Sequence, residues 1–288
     1  MTSKNRLFIF GPGYSGQAVA RKAISNGWKV FGTARSEEKA ERLKEVGISP
    51  VIFGSKAMAE AAGESPNWLV SIAPKAEGDP ALEEVAKHQV NGPRWLGYLS
   101  STNVYGDHGG NWVDEATPTR PSLERGIRRV GAESAWQAFA NETEARCHIF
   151  RLAGIYGPGR NAVRSLLDGK AKRIVKQGQL FSRIHVEDIA EAIWLAMTGD
   201  HKSSIFNLAD DRPCPPQQVI ADAAAMLGVA APPEVPFEEA DLSPMARSFY
   251  MESKRVRNDL VKKTLGMKFR YPDYKAALPK FVKNEQPL

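Results

Sequence analysis

Two cysteines in 288 residues, Cys147 and Cys214, are too few for a disulfide framework or a thiolate metal cluster. They fit a reducing, cytoplasmic setting, and no metal site is expected. Long apolar runs are also missing. Residues 7–10 and 68–70 fall far short of the roughly 20 needed to span a bilayer. The start of the chain is basic, but Gly11-Pro12-Gly13 cuts short the apolar stretch behind it, so neither a secretory signal nor a membrane partner is expected. There is no internal repeat. A hydrophobic share of 42% with 25% charged residues excludes a disordered or fibrous chain. The net charge of +6 is spread over several groups, such as Arg120/Arg125/Arg128/Arg129 and Lys254/Arg255/Arg257/Lys262/Lys263. These read as solvated faces. No nucleic-acid signature accompanies them, so the expected partner is a small molecule and not nucleic acid.

What is present is alternation. Apolar strand-like segments lie at residues 7–10, 28–33, 51–53, 68–72, 95–99 and 148–152. Between them run helical patterns. Val19, Ala20, Ala23 and Ile24 share a face before Gly27, and Ser36 caps a helix reaching to about Val46. Leu82, Val85, Ala86 and Val90 form another stripe, and Ile189, Ile193, Ala196 and Met197 line a helix starting at Val186. Strand–helix alternation predicts an α/β protein with a doubly wound parallel sheet. After Leu208 the texture turns proline-rich, with helices predicted over 217–227 and 254–265, the second stopped by Gly266. Residues 1–152 are thus expected to form the first domain, holding most of the sheet. Residues 153–288 are a mixed region, finishing the sheet and adding a small substrate-binding lobe.

The first strand runs into Gly11-Pro12-Gly13-Tyr14-Ser15-Gly16, a G-x-G-x-x-G turn opening a helix. Gly11 allows the tight turn, Gly13 lets the backbone approach a pyrophosphate, and Gly16 lets the helix pack on the strand. Tyr14 and Ser15 begin the helix whose free N–H groups favour an anion. This is the nucleotide-binding unit of a Rossmann fold. The second strand ends in Thr33-Ala34-Arg35-Ser36, without the acid that binds an NAD ribose. Arg35 suits a 2′-phosphate, and Thr33 or Ser36 adds a hydroxyl, so NADP is expected over NAD.

Four further segments follow: Leu99-Ser100-Ser101-Thr102-Asn103-Val104-Tyr105-Gly106, Arg151-Leu152-Ala153-Gly154-Ile155-Tyr156-Gly157-Pro158, Ile184-His185-Val186-Glu187-Asp188 and Phe206-Asn207-Leu208-Ala209. In this order and spacing the chain resembles the extended short-chain dehydrogenase/reductases of the NAD(P)-dependent epimerase/dehydratase group. The resemblance implies a Rossmann domain with a small C-terminal substrate lobe. It implies that Ser101 holds a substrate hydroxyl, and that Ser100 and Ala153 border the cofactor. Ile72-Ala73-Pro74 would run along the adenine-side ribose. His185 and Asp188 would be structural, and paired helices would form a homodimer.

One element departs from that family. Its Tyr-x-x-x-Lys pair falls here on Arg125 and Arg129. Arg129 keeps a charge for the nicotinamide ribose. Arg125 cannot exchange a proton, because a guanidinium stays charged; it is left to grip an anionic substrate group. No tyrosine occurs between Tyr105 and Tyr156. Gly154 stands where many sugar-nucleotide enzymes of the group carry asparagine, which argues against a nucleotide-sugar substrate. Substitute acid/base candidates lie in one loop: Asp107, His108, Asp114 and Glu115, with Tyr105, usually a packing residue, beside them. Two functions follow: hydride transfer with a non-standard acid/base, or NADP(H) binding without turnover, as a sensor or partner-binding module.

Overall fold

The computed structural model describes residues 5–285; the basic start noted above lies largely outside that range. Seven strands form one parallel sheet: β1 Arg6–Phe10, β2 Lys29–Ala34, β3 Ser49–Ile52, β4 Asn67–Val70, β5 Trp95–Ser101, β6 Arg146–Leu152 and β7 Ser204–Leu208. Their order is 3-2-1-4-5-6-7. Alternate side chains of one strand enter different cores. Leu7 and Ile9 pack into one apolar layer, Phe8 and Phe10 into the other. Both faces are covered, which is why these strands read as continuous apolar runs. The first layer is roofed by helices Tyr14–Ser25 and Val186–Thr198, the second by Lys56–Gly63, Pro80–Lys87 and Glu124–Glu142. The architecture is a Rossmann-type α/β fold.

Ser36 caps its helix as read, accepting the Lys39 N–H, and Gly27 turns at φ +79°. Two readings need correcting. Residues 254–258 are not helical. Arg255–Val256 instead pairs in parallel with Trp112–Val113, and the helix runs only over Asp259–Leu265, ending at Gly266 with φ +62°. The helix after Asp79 stops at Lys87, so Val90 lies beyond it and Ala86 is exposed.

Beyond β6 the chain builds two further short strand pairs, Gly154–Tyr156 with Arg183–His185 and Arg173–Val175 with Glu234–Pro236. Helices Ala162–Leu167, Pro216–Leu227 and Tyr274–Asn284 close over a separate core containing Tyr156, Tyr274 and Phe281. This lobe stands over the carboxyl ends of β5 and β6. In open α/β sheets, ligands bind at those ends.

Candidate functional site

The glycine turn is built for its position. Gly11 sits at φ +74°, and a Cβ there would lie 2.5 Å from Ile72 Cγ1. Its N–H donates to Thr33 Oγ1 at 2.8 Å, tying the turn to β2. Gly13 caps the first helix with no side-chain hydrogen bond, and no acid occupies the first helical turn. A Cβ on Gly13 would meet nothing nearer than the Gly11 carbonyl at 3.9 Å, so there is open space beside the helix start. Gly16 packs tightly, its notional Cβ 3.3 Å from Ile9 Cγ2. The Tyr14 hydroxyl leaves the turn and donates to the Pro158 carbonyl; burial pushes its phenol up to about 12. Arg35 is exposed just past β2 and has no hydrogen bond or ion pair among the described residues. Ile72, Ala73 and Pro74 form an irregular stretch after β4. An uncapped helix start and open space fit the diphosphate of a dinucleotide.

The turn leads to a cavity of about 510 Å3 at the ends of β5 and β6. Ser15, Ser100, Ser101, Arg125, Arg129 and Ala153 all line it. Ser101 Oγ accepts the Asn103 N–H at 3.3 Å. Arg129 crosses the Tyr98 ring and donates to Tyr98 Oη (3.1 Å) and the Leu99 carbonyl (2.7 Å). Arg125 donates to Ser248 Oγ at 2.6 Å and stacks 4.4 Å over Phe249. Phe249 follows a helix, Pro244–Ser248, that buries none of its own residues, so this segment roofs the cavity from outside.

Ser100 also donates to Glu133, whose carboxylate takes Arg151 Nε at 3.1 Å and Nη2 at 2.8 Å. Arg151 donates further to Tyr105 Oη, and Tyr105 donates to Asn207 Oδ1 at 2.8 Å. This network is buried, with Tyr105 at 0% exposure. The proton of Tyr105 is committed away from the cavity, and burial raises its phenol.

None of the loop candidates lines the cavity. Asp107 Oδ1 accepts the N–H groups of Ser253 (2.7 Å) and Gly109 (3.2 Å). Burial opposes its ionisation, but those N–H groups hold its carboxyl below the usual range. His108 Nε2 lies 3.1 Å from the Tyr105 carbonyl. Asp114 closes a turn onto Ala116 and Thr117, and Glu115 accepts the Asn207 N–H. His185 Nδ1 accepts the Glu187 N–H, while Asp188 takes the N–H groups of Arg270 and Tyr271 and so pins the C-terminal segment.

The cavity wall instead contains Arg183 and Glu252, which the sequence did not single out, and Lys254, which reads in the sequence as part of a solvated basic face. Lys254 Nζ donates to Glu252 Oε2 at 2.7 Å, with side chains 10% and 6% exposed. No local motif marks this pair. It reaches the cavity because a distant strand, Arg255–Val256, docks beside Trp112–Val113.

Residues 76–209 match the family described as the NAD dependent epimerase/dehydratase family. Across nearly its whole length the chain is similar to a functionally unknown conserved protein of Silicibacter pomeroyi DSS. The two are 43% identical, with a TM-score of 0.90 over 99% of this chain and 100% of that one. The chain is an extended short-chain dehydrogenase/reductase-type protein, with the NAD-dependent epimerase/dehydratase match over nearly half of its length. The chain is also similar to Protein YeeZ of Escherichia coli, 25% identical over 93% of this chain and 97% of that one. The UDP-glucose 4-epimerase of Thermotoga maritima shares the fold at a TM-score of 0.77 with 18% identity, covering 96% and 97% of the two chains. The family match starts beyond the glycine turn, so the case for that turn rests on its own geometry. Among the described residues no helix is long and apolar enough to cross a membrane.

Proposed function

We propose that this protein is an NADP(H)-dependent oxidoreductase acting on a small carbonyl or alcohol in the 510 Å3 cavity. One observation carries the reading: an uncapped glycine turn opens toward space, with the unpaired Arg35 at the adjoining strand tip. The N–H groups at the start of helix Tyr14–Ser25 would hold the diphosphate, and Arg35 with Ser36 the 2′-phosphate. Arg129 would present its charge to the nicotinamide ribose, beside Ala153 and Ser100. Ser101 would orient the substrate oxygen. A bound nicotinamide supplies hydride chemistry. Two buried free cysteines, Cys147 and Cys214, are in keeping with a cytoplasmic setting.

Fluorescence titration with NADPH and NADH tests the cofactor. NADPH is expected to bind more tightly, and Arg35→Ala to remove about tenfold or more of that preference, as loss of a charge-assisted contact does. Equal binding of both cofactors by the parent would sink the NADP assignment.

A second reading is NADP(H) binding without turnover. It is favoured by Arg125, which fastens the cavity roof where the family's tyrosine would work. It predicts different affinities for the two redox forms and no NADPH consumption with any carbonyl.

A further inference from the structure

Reduction of a carbonyl needs a group that gives up a proton inside the cavity. Arg125 cannot be that group, and Asp107, His108 and Tyr105 do not line the wall. Apart from arginines, the ionisable side chains lining the cavity are Tyr156, Glu252 and Lys254. Tyr156 is 8% exposed, with its hydroxyl buried and its ring packed edge-on to His185 and Phe281; burial drives its phenol far up. Glu252 has both oxygens engaged, Oε1 by Ser122 Oγ and Oε2 by Lys254 Nζ, each at 2.7 Å.

Lys254 is different. An ammonium has three N–H donors. One goes to Glu252, and no other partner is present among the described residues. Its backbone is strapped in place. The N–H groups of His108 and Gly110 donate to the Ser253 carbonyl at 3.1 and 2.9 Å. Ser253 N–H donates to Asp107 Oδ1, and Val256 N–H to Ser182 Oγ. The loop singled out in the sequence thus holds the strand that carries the lysine.

We propose that Lys254 Nζ is the proton-exchanging group of the cavity, in direct contact with the substrate oxygen. This rests on the oxidoreductase reading. In the reducing direction the carbonyl carbon receives the hydride that a reduced nicotinamide supplies. The C=O π pair moves onto oxygen, and oxygen takes the proton from Nζ. The neutral amine left behind is recharged by water; oxidation of an alcohol runs the same steps backwards. Three charged groups surround Nζ. Burial lowers its affinity for the proton, Glu252 and Asp107 raise it, and Arg125 lowers it again, with a net downward shift. An ammonium made more acidic by burial is suited to give a proton.

The test uses the full chain and the variants Lys254→Arg and Lys254→Met. NADPH binding is measured first by fluorescence. NADPH consumption is then followed across pH with nitrobenzaldehyde, cyclohexanone and pyruvate as probes. Independently, competitive acetylation of the NADPH-loaded parent across pH, read by peptide mass spectrometry, ranks the lysines by their titration. Lys254→Arg should keep NADPH affinity, lose about 10²–10⁴-fold in kcat, and drop one limb of the pH profile. Lys254 should titrate below the other lysines. Parent-like turnover in Lys254→Arg, or a Lys254 that titrates with the rest, overturns the proposal and leaves the oxidoreductase reading standing. A parent that binds NADPH and reduces none of the probes overturns that reading and the proposal with it.

Discussion

Thr33 Oγ1 accepts the Gly11 N–H at 2.8 Å, so the second strand holds the phosphate turn of the first. The valine isostere keeps the shape and removes the acceptor. Thr33→Val should cost about 1 kcal/mol in urea unfolding and weaken NADPH binding, because a donor half-buried in the turn loses its partner. Unchanged binding would mean that the turn is rigid without this tie.

Gly13 and Gly11 should part company on substitution. Gly13→Asp meets open space and an ordinary φ, so stability should stay within about 0.5 kcal/mol of the parent. NADPH affinity should fall by about 10²-fold or more, since a carboxylate would face the diphosphate. Gly11→Ala meets Ile72 at 2.5 Å with φ +74° and should lower the melting temperature as well. If Gly13→Asp binds NADPH like the parent, the diphosphate does not lie at this helix start.

The Glu133–Arg151 pair is 6% and 5% exposed and feeds both Ser100 and Tyr105. Removing one partner strands a buried charge. Glu133→Ala should cost about 3–5 kcal/mol, and the double variant Glu133→Leu/Arg151→Met distinctly less than that. Chemical denaturation of the three proteins decides it; equal losses in the single and double variants would show that the pair acts through something other than mutual neutralisation.

Asp210 gives the stability curve a pH dependence of definite sign. It is 1% exposed, and burial pushes its carboxyl up to about 8, with Asp273 and Asp211 adding to the effect. In the unfolded chain an aspartate titrates near about 3.9. Its contribution is therefore fully present below about pH 4 and is lost as pH rises through about 8. Asp210→Asn should gain on the parent in melting temperature as pH rises through that window. A constant difference would show that Asp210 ionises normally in the fold. His148 and His185 work in the other sense. Burial pushes both down to about 4, so their contribution fades as pH falls from about 6.5 through 4. Both remain in the asparagine variant, so the difference between the two proteins isolates Asp210.

Much of this molecule was legible because its determinants are local. Alternation of Leu7/Ile9 with Phe8/Phe10 between two cores produces the apolar run that marks β1. The Ser36 cap and the Gly266 stop are set within a few residues of themselves. What escaped is set by contacts across the chain. Lys254 reads as the start of a helix running to Gly266, yet the backbone hydrogen bonds of Ser253 and Arg255 go to residues more than 140 positions earlier. Asp107 and His108 have the residue types of an acid/base pair. Their partners, Ser253 and the Tyr105 carbonyl, make them fasteners, and nothing near them in the sequence says so.

The stack of Arg125 on Phe249 has a consequence for the electrical character of the cavity. A phenol at this place would carry a charge only in its ionised form; a guanidinium keeps one electrical sign throughout. The roof is therefore fastened to the wall by a cation and an uncharged hydroxyl, and a positive charge stands on that side of the cavity at every working acidity.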